Sequence, residues 1–201
     1  MNGSLRHYLD EPMARVALRA KLVRPLRTRR FHSFGPESLI HRPEWIYGPH
    51  RIAIGRGVVF LGHAWLSAER ATWERPEPAI TVGDGTIFRA HAVISATSSV
   101  TIEENVLGAA YVSIVDCDHT ITEIDQNPLW NPVVSEPIRI GAGTWLGERV
   151  TVLRGADIGR KCIIGAHSVV TGTIPDHSIA VGAPARVVGT TPAARPVAVP
   201  G

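Results

Sequence analysis

Between Ile140 and Ile174 the sequence reads IGAGTW, LGERVT, VLRGAD, IGRKCI, IGAHSV, VTGTI, and an aliphatic residue opens every six-residue unit: Ile140, Leu146, Val152, Ile158, Ile164 and Val170. The fifth place is small or β-branched throughout (Thr144, Val150, Ala156, Cys162, Ser168, Ile174). An α-helix wants apolar residues every three to four places and a half-buried strand every two, so a period of six fits neither. With turn-tolerant residues after the opener, it specifies a parallel β-helix of hexapeptide repeats. The aliphatic side chain fills a narrow core, and only a slim residue fits beside it. Three units close one triangular coil, and coils stack about 4.8 Å apart through parallel ladders. No single coil can bury its own apolar row, so the repeats stand or fall together.

A slim interior selects against large rings, and of 201 residues 44% are hydrophobic but only 6% aromatic. Nineteen glycines and fifteen prolines, without collagen's three-residue period, suit many tight corners. Cys117 and Cys162 form neither a disulfide framework nor a zinc knuckle. No signal peptide and no 18-residue apolar run is present, so a reduced, cytoplasmic setting is expected.

The net charge of +3 is unevenly placed. Residues 1–30 carry eight Arg and Lys against Asp10 and Glu11, a balance of +6 that leaves −3 for the rest. Within this leader Val16, Leu18, Leu22 and Val23 lie at loosely helical spacing before Pro25. A short N-terminal helical segment is therefore expected, either resting peripherally on an anionic membrane or, the reading favoured here, capping the open edge of the first coil. No aromatic platform accompanies the charge, so nucleic acid is not an expected partner.

Along the chain, residues 31–51 form an imperfect first coil, and the register becomes clear at Ile54, Phe60 and Leu66. It breaks for an excursion from Glu69 to Ala79, resumes at Val82, Phe88 and Ile94, slips at Ser98 and Ser99, and continues with Ile102, Gly108 and Ile114, where Gly108 is a misfit. The largest break separates Ile114 from Ile140, so residues 116–137, DCDHTITEIDQNPLWNPVVSEP, leave the coil and return in register. Loops this long inside a compact repeat are often functional. Three parts result: the basic leader 1–30, an all-β domain 31–189, and a Pro/Ala-rich tail 190–201.

A His among carboxylates at the root of that loop, followed by PIRIGAGTWLGERVTVLRGADIGRKCIIGAHSVVTGTIPDHSIAVGAPARVVG, resembles the hexapeptide-repeat acyltransferases, and most nearly the coenzyme A-dependent sugar O-acetyltransferases. The resemblance implies a left-handed β-helix, a homotrimer with active sites between subunits, acetyl-CoA as co-substrate, a sugar hydroxyl as acceptor in surface glycan or glycolipid synthesis, and no metal.

By the same resemblance His119 is the general base. Imidazole, with an ordinary pKa near 6.5, can take the proton from an alcohol as it attacks a thioester. Asp116, Asp118, Glu123 and Asp125 are near enough in sequence to orient the ring, with no ground for choosing among them. Trp145, Glu148, Ala166, Thr171, Gly172 and Arg186 match positions along the coenzyme. Gly172 stands where a Lys is common, so Arg160 or Lys161 could supply phosphate contacts. Arg89, His91 and Asp118 are the acceptor candidates, Arg89 either favouring an anionic acceptor or serving as an ordinary surface residue. Leu129 and Trp130 are candidates to limit the acyl chain. A covalent role for Cys117 is not expected, because the family transfers directly. N-acetylation of an amino sugar is the runner-up. A γ-class carbonic anhydrase would need two His five residues apart, but Ile124 stands at that distance from His119. A non-catalytic scaffold is the third alternative.

Overall fold

A computed structural model describes residues 28–121, 127 and 130–192. The expected helical leader up to residue 27, Glu123, Asp125, Leu129 and the tail from 193 lie outside the described residues. Thr28–Arg30 form a 3-10 turn that leads into the first coil.

Three parallel sheets make the walls of a three-sided coil. The first contains Ser33–Phe34, Ile52–Ile54, Ile80–Val82, Val100–Ile102, Ile138–Ile140, Asp157–Ile158 and Thr173–Ile174. The second contains Leu39–Ile40, Val59–Phe60, Ile87–Phe88, Leu107–Gly108, Trp145–Leu146, Ile163–Ile164 and Ser178–Val181, closed by the antiparallel strand Arg186–Thr190. The third contains Trp45–Tyr47, Trp65–Ala68, Val93–Ala96, Ser113–Val115, Thr151–Leu153 and Val169–Val170.

Strand pairing aligns the openers into three stacked columns. The first runs Phe34, Ile54, Val82, Ile102, Ile140, Ile158, Ile174. The second runs Ile40, Phe60, Phe88, Gly108, Leu146, Ile164, Ala180, and the third Ile46, Leu66, Ile94, Ile114, Val152, Val170. From Ile54 onward these side chains are buried in one continuous core, apart from Gly108, which has none. Ile174, read above as a fifth-place residue, is itself an opener, because only Thr171–Thr173 separate it from Val170. Within each coil the steps from first to second and from second to third column are always six residues. Every departure, including both excursions and the short turn before Thr173, falls where the third sheet gives way to the first. Among the described coils, one edge of the prism therefore carries every departure from the six-residue step.

Gly108 is explained by its neighbour. The Phe60 and Phe88 rings stack 5.3 Å apart in the second column, and a Cβ at position 108 would lie 2.2 Å from Cδ1 of Phe88. Two rings in a core built for aliphatic residues need a vacancy above them. Gly108→Ala is expected to destabilise the fold by about 1–3 kcal/mol through overpacking, and Phe88→Leu in the same chain to recover most of that loss. Thermal unfolding of the single and double variants checks it.

On the first sheet Arg139 bridges Glu103 (Nη1 to Oε1, 3.0 Å) and Asp157 (Nη2 to Oδ1, 2.7 Å), while the Ala142 N–H donates to Glu103 Oε2 at 2.9 Å. The Ala142 amide, with help from Arg139 and Arg160, holds the Glu103 carboxyl below its ordinary 4.5 against the opposing effect of burial. A carboxyl whose folded pKa is depressed adds stability above its unfolded value and loses it as pH falls through the folded one. The melting temperature should thus fall below about pH 4.5, and less steeply in Glu103→Gln, as read by melting curves between pH 3 and 6.

Candidate active site

The long excursion leaves from the irregular edge as a two-stranded antiparallel hairpin, Cys117–His119 against Val133–Ser135, pairing Cys117 with Ser135, Asp118 with Val134 and His119 with Val133. Side chains alternate faces along a strand, so Cys117 and His119 share one face and Asp118 points from the other. His119 is exposed. Just beyond it, the Thr120 N–H and hydroxyl both donate to the Pro132 carbonyl, at 3.0 and 2.8 Å, which fixes the strand where it leaves the imidazole.

Asp116 sits at the root and is fully buried. Its Oδ1 accepts the Thr97 N–H and its Oδ2 the Ser98 N–H, both at 2.7 Å, and its carbonyl accepts the Glu136 N–H at 3.0 Å. Burial pushes the Asp116 carboxyl above its ordinary value, while the amides of Thr97, Ser98 and Ser99 pull it down. Both carboxylate oxygens being engaged with backbone, Asp116 is removed from the candidates for orienting His119: it ties the hairpin to the preceding coil. Asp118, offered above for both orientation and acceptor binding, places Oδ2 2.5 Å from Nε of Arg154, a residue on the next coil that also pairs with Glu136. The other two carboxylates, Glu123 and Asp125, lie outside the described residues.

The remaining candidates divide between two edges. Trp145 stands outward on the second sheet, 48% exposed. Glu148 and Ala166 follow at the corner between the second and third sheets, where the Glu148 carbonyl accepts the His167 N–H at 2.8 Å and Glu148 Oε1 lies 3.7 Å from Arg149. His91 occupies the same corner two coils earlier, stacked between His63 (5.0 Å) and Tyr111 (4.7 Å), with the Arg149 guanidinium 5.0 Å from the centre of the Tyr111 ring. Arg89 is exposed just before it. Arg186 opens the antiparallel strand that ends the second sheet, its Nη1 donating to the Ala185 carbonyl at 3.0 Å.

Thr171 and Gly172 are at the other end of the third-sheet strand, on the irregular edge with the His119 hairpin. A Cβ at Gly172 would meet open space. Trp130 is largely exposed. Among the described residues no three His, Cys, Asp or Glu side chains gather as a metal site. No described helix is long and apolar enough to cross a membrane.

The ring stack at the second corner went unread in the sequence. Its signal is a ring or cation three places after the second-sheet opener, at His63, His91, Tyr111, Arg149 and His167, all with positive φ between 51° and 63°.

Residues 137–172 match the bacterial transferase hexapeptide family (six repeats). The chain is a left-handed parallel β-helix of hexapeptide repeats. Among curated relatives, this β-helical chain is 48% identical over 89 residues to a Mycobacterium tuberculosis protein named as an acetyltransferase, covering 44% of this chain and 30% of that one. It is 38% identical over 98 residues to WbbJ of Escherichia coli, named for O-acetyl transfer in lipopolysaccharide biosynthesis, covering 45% of this chain and 50% of WbbJ. It thus spans half or less of the length of these relatives. Among solved structures it superposes on a variant of AntD, an N-acyltransferase from Bacillus cereus bound to dTDP-4-amino-4,6-dideoxyglucose and coenzyme A, with TM-score 0.71 at 19% identity over 84% of this chain and 88% of AntD. It also superposes on the hexapeptide-repeat acetyltransferase VCA0836 of Vibrio cholerae with acetyl coenzyme A, with TM-score 0.58 at 20% identity over 96% and 91% of the two chains.

Proposed function

We propose that this protein transfers an acetyl group from acetyl-CoA to a sugar hydroxyl in surface glycan synthesis, with His119 as general base, in a homotrimer whose active sites lie between copies. The observation that carries the reading is the division of the candidate residues. His119 is held out on a pinned hairpin at the irregular edge, which also carries Thr171 and Gly172, whereas Trp145, Glu148, Ala166 and Arg186 belong to the second sheet and its far corner. A site containing both sets is completed when the irregular edge of one copy meets the second sheet of the next. Unlike faces meeting head to tail close into a ring when the rotation from one copy to the next is one third of a turn, as the proposed trimer requires.

The second sheet favours such a partner. Its outward column of Leu39, Val59, Ile87, Leu107, Trp145, Ile163 and Ile179 carries no polar side chain, and Leu107 and Trp145 are 44% and 48% exposed. An apolar row of this length, half-buried along most of its course and exposed at Leu107 and Trp145, suits an interaction surface.

In the proposed reaction His119 takes the proton from the acceptor hydroxyl as its oxygen attacks the thioester carbonyl. It then returns the proton to the departing coenzyme thiol, so the imidazole ends as it began. Trp145 covers the thiol arm, the corner at Glu148 and Ala166 bounds the pantetheine, and Arg186 offers a fork of donors to the nucleotide phosphates. Exposed Arg89, beside the His91 stack, favours an anionic acceptor. WbbJ supports the hydroxyl as acceptor; the likeness to AntD, which is one of fold, favours an amino sugar as the second reading.

Calorimetry with coenzyme A, followed by thiol release from acetyl-CoA against neutral, acidic and amino sugars, tests the proposal. Micromolar coenzyme binding with release that depends on a hydroxyl sugar is expected. Release with amino sugars alone moves the assignment to N-acetylation, and no coenzyme binding defeats both readings.

A further inference from the structure

Arg154 follows the third-sheet strand Thr151–Leu153, which stacks directly on Ser113–Val115, the strand from which the hairpin departs. Its Nε lies 2.5 Å from Asp118 Oδ2 and its Nη1 pairs with Glu136 Oε1. Asp118 is on the outgoing strand and Glu136 immediately follows the returning one. The corner is shaped to receive Glu136. The Gly155 N–H donates to the Glu136 carbonyl at 3.3 Å, and at Gly155, with φ of 71°, a Cβ would stand 2.7 Å from Glu136 Oε2.

From this we infer that Arg154 is a positioning residue for the general base, a clamp that sets the direction in which His119 faces. The inference rests on His119 being the base. Alternation makes the clamp directional: with Asp118 drawn to Arg154 on one face of the strand, His119 must present its ring from the opposite face. A lysine can neutralise one carboxylate, but a guanidinium can hold two oxygen partners in fixed directions at once. The three side chains are 34–57% exposed, and such pairs contribute little to global stability. Geometry is another matter, since a shift of about 1 Å in a reacting group can cost on the order of 10²-fold in rate.

The test compares wild type, Arg154→Gln, Arg154→Lys and His119→Ala. Three readouts are used: kcat and KM for acetyl-CoA, the melting temperature, and amide hydrogen exchange of residues 117–120 and 133–136 against the solenoid strands. Arg154→Gln should lower kcat by about 10- to 100-fold with KM and melting temperature nearly unchanged, and should speed exchange in the hairpin alone. Arg154→Lys should recover part of both effects. Unchanged hairpin exchange in Arg154→Gln overturns the clamp, as does wild-type kcat in that variant where His119→Ala is inactive. A melting temperature and solenoid protection that collapse together with activity, without recovery by lysine, overturn it as well. If His119→Ala keeps full activity, the general-base reading has failed, and hairpin exchange alone decides whether Arg154 holds the hairpin.

Discussion

His119→Ala is expected to lower turnover by about 10²–10⁴-fold, the usual contribution of a positioned general base. Coenzyme A affinity should stay within a few-fold of wild type, because Trp145, Glu148, Ala166 and Arg186, proposed to hold the coenzyme, belong to the second sheet and its corner, and the hairpin bearing His119 belongs to another edge. The melting temperature should not move either, since the imidazole is exposed and fills no core space. The combination matters more than any one value. Loss of kcat with intact binding and intact folding marks an interaction made only in the transition state. Parallel loss of affinity would instead make His119 a binding residue.

The second large effect is expected at Asp116. Replacing it by alanine strands the Thr97 and Ser98 amides that its carboxylate accepts, and although both residues are half-buried, each donor left without a partner costs up to about 1–3 kcal/mol. A total loss of about 2–4 kcal/mol is expected, visible as a drop of roughly 5–15 °C in melting temperature for a chain of this size. Activity should fall further than stability alone explains, because the lost side chain is what ties the root of the hairpin to Thr97 and Ser98, and the residue 116 carbonyl that accepts the Glu136 N–H, although kept, is then no longer held in place. Asp116→Asn separates the two contributions. The amide keeps one acceptor oxygen but points a donor at a backbone N–H, so it should fold better than the alanine variant and remain impaired. Chemical denaturation and thiol release on the same preparations measure both, and an Asp116→Ala protein as stable as wild type would contradict the account of the root.

The six-residue rhythm made the three core columns legible, because each opener sits in the same surroundings in every coil. What could not be read were contacts that depend on side-chain direction or on inserted chain. Gly108 looked like an error in the period, and it is instead the space that Phe88, twenty residues earlier, requires. Four carboxylates flank His119 in sequence, but which of them is buried depends on how residues 116–137 leave the edge, and that departure abolishes the period that would have told them apart. Arg154 occupies an ordinary outward position of its hexad. Its partners lie 36 and 18 residues away on two sides of the excursion, a separation no local pattern encodes. The split of the candidates, with Trp145, Glu148, Ala166 and Arg186 on the second sheet and its corner and His119, Thr171 and Gly172 on the irregular edge, was likewise hidden, since a list of positions carries no information about which wall of the prism each one occupies.

A crystal structure with coenzyme A bound measures the central claim most directly. It should place the coenzyme in a groove between two copies, its sulfur within about 3–3.5 Å of where His119 of one copy can reach the reacting oxygen, with Trp145 of the adjoining copy forming the opposite wall. Coenzyme bound on the first sheet, or wholly within one copy and away from His119, would contradict it.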